Sequence, residues 1–306
     1  MEVVIQNIIP ILATAIYMST PLIIAAIGGA FSVRSGVMAL GLESMMMMGA
    51  FGAVVGAYFT GSVVLGFLVG TLGGMLFGFF HAVLSVTYKV NQVISGIGLN
   101  LLALAATTLS MQLVWGNRGM SPLVNSLTTN IGGFITQIPV IGPILAGQSI
   151  NFFVMVLVVI VSWTVLFRTR YGLRLRMVGE NPKAANSIGL RVHALKYSGV
   201  LICGALAGYG GAWLSLDQLN VFVRDMTAGR GFIAVAINIL GRYNPSWIVP
   251  CALLFGFADV MQIYLQNAGI PSQLIQMLPF VVTLFVLAFG VRHIRAPAGV
   301  GLHEDS

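Results

Sequence analysis

Residues 150–167 decide the fold class, and their sequence is INFFVMVLVVIVSWTVLF. The run contains no charged side chain, and its length is close to the ~20 residues that an α-helix needs to cross the hydrocarbon core of a bilayer. Arg168 and Arg170 follow directly, and basic residues of this kind mark the cytoplasmic end of a membrane helix. The run therefore predicts a transmembrane helix that ends in the cytoplasm.

The composition of the whole chain extends this prediction. Of its 306 residues, 58% are hydrophobic and only 8% are charged, which leaves too few polar side chains to cover a soluble globule of this size. The 37 glycines also suit membrane helices, which pack closely through small residues. We expect an all-α, multi-pass membrane protein that forms a single transmembrane domain over residues 1–306.

Apolar runs long enough to cross a bilayer recur along the chain. They predict spans at Ile8–Phe31, Met38–Phe59, Val63–Val86, Val93–Val114, Ile150–Phe167, Ser198–Leu216, Trp247–Gln266 and Leu274–Gly290. One further apolar piece, Gly231–Gly241, is too short to cross unaided.

The basic residues decide how this short piece is counted, because positively charged loops stay in the cytoplasm. With the N-terminus outside, the first six spans place Arg34 and all basic residues of 168–197 inside. The C-terminal Arg292 and Arg295 then require an odd number of further crossings. We therefore expect Gly231–Gly241 to be a broken crossing and the total to be about nine, within a range of eight to ten. The alternative is eight crossings plus a re-entrant element, with the tail outside.

Two segments outside the lipid are long enough to carry function. Residues 115–149 form a predicted outer loop, and residues 168–197 form a cytoplasmic segment with seven of the fifteen basic residues. Within the latter, Pro182 suits a first helical turn and Gly189 suits a helix stop, which predicts a short helix on the cytoplasmic face. The alternative is a loop that only sets orientation and is attracted to anionic lipid.

Several stretches resemble one family. Tyr171–Pro182, continued by Ala184, Ala185 and Gly189, resembles the cytoplasmic coupling segment of ATP-binding-cassette importer permeases that serve nucleosides, ribose-like sugars and branched-chain amino acids. Further similarity, closest to the nucleoside branch, lies in Gly41–Phe51, Asn91–Leu101, Thr227–Ala236, Phe255–Asp259 and Met277–Pro279. The chain departs from the pattern at Ser44, where the family has glycine, and at Asn238, an unusual polar residue in its run; both concern local packing.

The resemblance implies a type II-like importer permease bundle in the bacterial cytoplasmic membrane. It also implies a second permease subunit, ATPase subunits and an outer substrate-binding protein or lipoprotein as partners. The chain has no Gly-x-x-x-x-Gly-Lys-Ser/Thr loop, so we expect ATP and Mg on the ATPase subunit, no cofactor on this chain, and no enzymatic activity of its own. The residues expected to couple to the ATPase are Glu180, Asn181, Pro182, Ala184, Ala185 and Gly189.

Polar residues inside spans are candidates for the translocation pathway, because charged groups are costly at mid-membrane. The candidates are Glu43, Gln92, Asn100, Asn238 and Asp259. Each has a structural alternative: Gln92 and Asn100 belong to a small, polar stripe that suits plain helix packing, Glu43 suits a hydrogen-bond anchor, and Asp259 suits a pair with Arg230. Gly229 and Gly231 are expected to break a helix beside the cavity.

Other functions fit the sequence less well. The four methionines Met45–Met48 point in all directions around a helix, so no metal site is expected there. A secondary transporter would show internal repeats and ion-coupling carboxylates, and a membrane enzyme would show a cluster of catalytic groups. The prediction is a nucleoside permease of an importer, with a simple-sugar permease or, less favoured, an ion-coupled transporter as alternatives.

Overall fold

The computed structural model describes residues 2–125, 148–266 and 296–301, together with isolated positions between 274 and 288. Its helices are α1 Glu2–Arg34, α2 Leu42–Thr60, α3 Val63–Ala82, α4 Gln92–Trp115, α5 Ile150–Arg168, α6 Arg170–Glu180, α7 Pro182–Ser187, α8 Val192–Trp213, α9 Arg230–Leu240 and α10 Pro245–Leu265. A π-helical turn extends α3 over Val83–Thr87 and α8 over Leu214–Gln218. Seven of these helices are long and apolar enough to cross a membrane, which confirms the helical, multi-pass fold.

Three predicted spans differ by four to six residues at their N-terminal ends. Helix α1 begins at Glu2 rather than Ile8. Helix α2 begins at Leu42 rather than Met38, because residues 35–41 form an irregular segment that side chains of other helices hold. Helix α8 begins at Val192 rather than Ser198, and its first turns carry His193 and Lys196, polar residues that a hydropathy window excludes. The predicted span Leu274–Gly290 lies largely outside the described residues.

Helices α2, α3 and α8 form the centre of the bundle and touch through glycines. A Cβ atom added at Gly211 would lie 1.9 Å from the carbonyl oxygen of Met46, and one at Gly74 would lie 2.4 Å from Cα of Gly208. Backbones can approach this closely only where at least one of the two residues has no side chain. Met45, Met46 and Met47 are buried in the core that surrounds this contact.

The short piece after α8 joins the two ends of the bundle. At one end, Val124 donates to the carbonyl of Asn220 at 3.0 Å, next to the end of α4. From there, residues 221–229 turn inward and α9 continues for 11 residues, about 16 Å at 1.5 Å per residue. At the other end, Arg34 donates to the carbonyls of Arg242 and Tyr243 at 3.2 Å. Residues 219–240 thus run from one end of the described bundle to the other with a break before α9, and their crossing of the membrane stays a prediction.

The last described residues lie at the end of the bundle that carries Arg34 and α6–α7, named here the basic end. Gly299 donates to the carbonyl of Gly179 at 2.8 Å, and Gly301 donates to that of Gly36 at 3.2 Å. Residues 297–301 thus lie at the same end of the described bundle as Arg34, and the side of the membrane that this end faces stays a prediction. The total of nine crossings stays a prediction.

Candidate functional site

Glu43, at the start of α2, accepts hydrogen bonds from three residues around the break that precedes α9. Its Oε1 accepts hydrogen bonds from the Thr227 hydroxyl at 2.5 Å and the Gly229 N–H at 3.0 Å. Its Oε2 accepts from the Gly231 N–H at 2.6 Å. The first N–H groups of a helix lack intrahelical partners and attract negative charge, so the buried Glu43 side chain anchors a half-helix that would otherwise end unsatisfied inside the bundle.

The two predicted break residues have separate roles. Gly229 has a φ of 83°, a left-handed conformation that glycine adopts without strain. At Gly231, a Cβ atom would lie 2.4 Å from both the N and the Cα of Glu43. The first glycine turns the chain into the half-helix, and the second lets the start of α2 approach it.

The irregular segment before α2, residues 35–41, is held by polar side chains of α3 and α4. Gln92 accepts from the Met38 N–H at 2.7 Å, and His81 bonds to the Met38 carbonyl at 2.9 Å. Asn100 accepts from the Ser44 N–H at 3.0 Å and donates to the Leu40 carbonyl at 3.2 Å. Backbone groups inside a membrane must find internal partners, and these three side chains supply them.

This arrangement explains the polar stripe of α4. The amide groups of Gln92 and Asn100 form hydrogen bonds with the backbone of the segment that leads into α2. Gly96 lies between them, and a Cβ atom there would lie 2.8 Å from Cβ of Leu40. Thr107, further along, bonds within α4 and contacts the Met47 sulfur at 3.8 Å. The stripe therefore packs α4 on α2. A contact of Asn100 or Gln92 with substrate stays a prediction.

Asp259 and Asn238 lie on α10 and α9. Asp259 is half-buried, and the positive charge of Arg230, at the start of α9, attracts its carboxyl group. Asn238 is buried, its Oδ1 has no hydrogen-bond partner among the described residues, and a Cβ atom added at Gly29 of α1 would lie 2.7 Å from its Nδ2. Asn238 thus occupies the space that a glycine leaves on α1. Pathway roles for both residues stay predictions.

At the basic end, α6 and α7 form a compact two-helix unit outside the spans. The Asn181 side chain caps α7 by accepting from the Ala184 N–H at 3.0 Å, and Pro182 occupies the first turn. Gly189 has a φ of 79° and closes the helix. The helix thus begins and ends as predicted from local capping signals, while α6, an 11-residue helix, was not predicted.

The predicted coupling residues divide into two groups. Ala185 is fully buried, in a small cluster with Val178 and Val192, and Pro182 is buried as well. Ala184, the preceding residue of α7, is exposed. The side chain of Ala185 therefore faces the inside of the two-helix unit and that of Ala184 faces its surface, and coupling roles for both stay predictions.

Sequence reasoning missed the apolar residues that this unit exposes. Leu173 and Met177 on α6 are 54% and 37% exposed, and Ile188 after α7 is 62% exposed. The first two are spaced i, i+4 and so share one helix face. Their spacing was a usable signal, but α6 had to be identified as a helix first.

Comparison with known proteins places these features in a family. The model of the family described as "Branched-chain amino acid transport system / permease component" matches residues 11–287. The chain belongs to this family. The permease is 38% identical to the nucleoside ABC transporter permease protein NupC of Lactococcus lactis, over 96% of each chain. It is 33% identical to the guanosine ABC transporter permease protein NupQ of Bacillus subtilis, over 95% of the permease and 94% of NupQ.

A solved structure shares the fold. The permease matches a chain of an ABC transporter in an inward-facing conformation with a TM-score of 0.50 and 19% identity, over 90% of the permease and 85% of that chain. Similarity at this level of identity concerns the fold alone. It agrees with the helical bundle described above.

Proposed function

We propose that the permease is the membrane-spanning subunit of an ATP-binding-cassette importer and forms the translocation pathway for nucleosides by alternating access. The observation that carries the proposal is the α6–α7 unit. It lies outside the seven membrane-length helices, is packed onto them, and exposes the apolar residues Leu173, Met177 and Ile188. An exposed apolar patch with basic neighbours is suited to a protein partner rather than to water.

Nucleosides are favoured by the relatives and by the chemistry of the break. NupC and NupQ are named for nucleosides and guanosine. In transporters with broken helices, half-helix N-termini commonly receive an anionic group of the substrate. In the permease, the N–H groups of Gly229 and Gly231 are already bonded to Glu43. The break therefore suits an uncharged substrate such as a nucleoside better than an amino acid carboxylate.

The mechanism assigns ATP hydrolysis to partner subunits, so the permease itself needs neither cofactor nor catalytic residue. Docking of α6–α7 on an ATPase would transmit nucleotide-driven closure to the spans, which then open to one side at a time. A second permease subunit, a paralogue of this chain, and an outer substrate-binding protein or lipoprotein complete the assembly.

The basic residues support an orientation in the bacterial cytoplasmic membrane. The basic end faces the cytoplasm, and residues 115–149 and the N-terminus lie outside. Cysteines placed at Lys183 and Asn117, with Cys251 replaced by Ser, test this orientation. An impermeant reagent should label position 117 in intact cells, and labelling of position 183 would refute the orientation.

A simple-sugar substrate is the second candidate. The putative glucose ABC transporter permease protein TsgC13 of Haloferax volcanii is 33% identical over 92% of the permease and 91% of TsgC13. This identity equals that of NupQ, so the preference for nucleosides rests on the 38% identity to NupC and on the chemistry of the break.

The deciding experiment is uptake by the full importer in proteoliposomes. Labelled guanosine and uridine are compared with ribose and galactose, each with ATP inside and with an ion gradient alone. We expect ATP-dependent uptake of the nucleosides. Uptake of ribose in preference would overturn the substrate class, and uptake driven by the gradient alone would overturn the importer mechanism.

A further inference from the structure

Residues 297–301, named here the strap, join parts of the chain that are far apart in sequence. The Ala298 N–H donates to Oε2 of Glu180 at 3.2 Å, and the Gly299 N–H donates to the Gly179 carbonyl at 2.8 Å. The Gly301 N–H donates to the Gly36 carbonyl at 3.2 Å. The strap thus bonds at one end to the junction of α6 and α7, and at the other to the segment that leads into α2.

The contact is close enough to exclude side chains. A Cβ atom at Gly299 would lie 2.7 Å from the Gly179 carbonyl oxygen and 2.9 Å from Cδ of Pro182. A Cβ atom at Gly179 would lie 2.3 Å from the Arg34 carbonyl oxygen. Gly36 has a φ of 89°, and its Cβ position is 3.3 Å from the Gly299 carbonyl oxygen. Three backbones therefore meet at three glycines, with no room for a side chain between them.

The strap contacts two parts of the chain, the start of α7 and the segment that leads into α2. Pro182, which it contacts, begins α7, the helix expected to dock on the ATPase. Gly36 lies in the irregular segment 35–41, which Gln92 and His81 hold in place. This segment leads to Glu43, whose carboxyl group bonds to the start of the half-helix α9. A displacement of α7 would thus reach the broken crossing through packed backbone and hydrogen bonds.

We propose that the strap positions the coupling unit α6–α7 on the start of α2 and transmits its movement to the broken crossing. Glu180 acts here inside the chain, through its bond to Ala298, and Gly299 acts by the absence of a side chain. The inference rests on the proposed function, since it concerns how ATP hydrolysis is coupled to transport. It assigns a positioning role to a segment outside the seven membrane-length helices.

The test uses the full importer with its ATPase and binding protein, and it measures substrate imported per ATP hydrolysed. Gly299→Val adds bulk at the joint. Its matched control is Gly98→Val, because a Cβ atom at Gly98 of α4 meets none of the described residues within 4 Å. We expect Gly299→Val to assemble and to hydrolyse ATP while the ratio falls about tenfold, a size typical of coupling between sites. Gly98→Val should keep the wild-type ratio.

A second pair of variants decides the matter if Gly299→Val fails to assemble. Glu180→Ala removes the acceptor for the Ala298 N–H without adding bulk, whereas Glu180→Gln keeps an acceptor oxygen. The proposal expects a lowered ratio for Glu180→Ala and a ratio near wild type for Glu180→Gln. Equal ratios for both variants and the wild type would overturn it. Absence of ATP-driven uptake in the wild-type importer would instead refute the proposed function.

Discussion

Replacing Glu43 by glutamine is expected to loosen the start of the half-helix α9. The carboxylate accepts three hydrogen bonds, from Thr227 and Gly229 on one oxygen and from Gly231 on the other. Glutamine can offer an acceptor in only one of these two positions. In its better orientation it keeps Thr227 and Gly229 and turns its NH₂ group toward the Gly231 N–H, so one bond is lost and two donors face each other.

The magnitude follows from the bonds lost. A hydrogen bond to a charged group contributes about 1.5–3 kcal/mol, and a stranded buried donor costs about 1–3 kcal/mol. Weakened interaction with the helix dipole adds up to about 1 kcal/mol. We therefore expect Glu43→Gln to lower the free energy of unfolding by about 2–4 kcal/mol, and Glu43→Ala, which loses all three bonds, to lower it by more.

The assay is thermal unfolding of the purified importer in detergent, with uptake measured in parallel. Asp225→Asn is the matched control: Asp225 precedes the same break, its side chain is exposed, and its φ of 57° suits asparagine. The expected order of stability is Asp225→Asn near wild type, then Glu43→Gln, then Glu43→Ala. Glutamine and wild-type proteins of equal stability and uptake would refute an anchoring role for the Glu43 carboxylate.

Three further predictions concern the coupling unit, the glycine contact and the α4 stripe. Ala184→Asp, on the exposed side of α7, should reduce uptake at normal membrane expression. Ala185→Asp should instead lower expression or stability, because Ala185 is fully buried. Measuring uptake and, by immunoblotting, membrane expression separates the two outcomes. Gly211→Ala should cost about 1–3 kcal/mol or more by overpacking, measured as lost heat stability of the importer, and unchanged stability would contradict the 1.9 Å contact. Asn100→Ala should cost about 1–3 kcal/mol by leaving the Ser44 N–H without its partner, and a variant as heat-stable as wild type would show that another group replaces it.

Local signals in the sequence were sufficient for part of the candidate site. The cap at Asn181, the proline at 182 and the glycine at 189 act within one short helix, so their spacing along the chain already contains the geometry. The charges on either side of Gly231–Gly241 constrain the topology in the same way, and the broken crossing inferred from them stays a prediction. Which face of α7 is buried could not, since Ala184 and Ala185 are chemically identical neighbours and only the packing against Val178 and Val192 separates them.

The sequence by itself determined that this protein is a multi-pass helical membrane protein with a short helix, Pro182–Ser187, at its basic end, because hydropathy, charge and capping are properties of short segments. Only the tertiary structure decided what the polar residues do. Glu43 bonds to Gly231 across 188 positions, and Ala298 bonds to Glu180 across 118. No periodicity encodes such pairs: they exist because the folded helices bring an unsatisfied backbone group to a side chain that can bond to it.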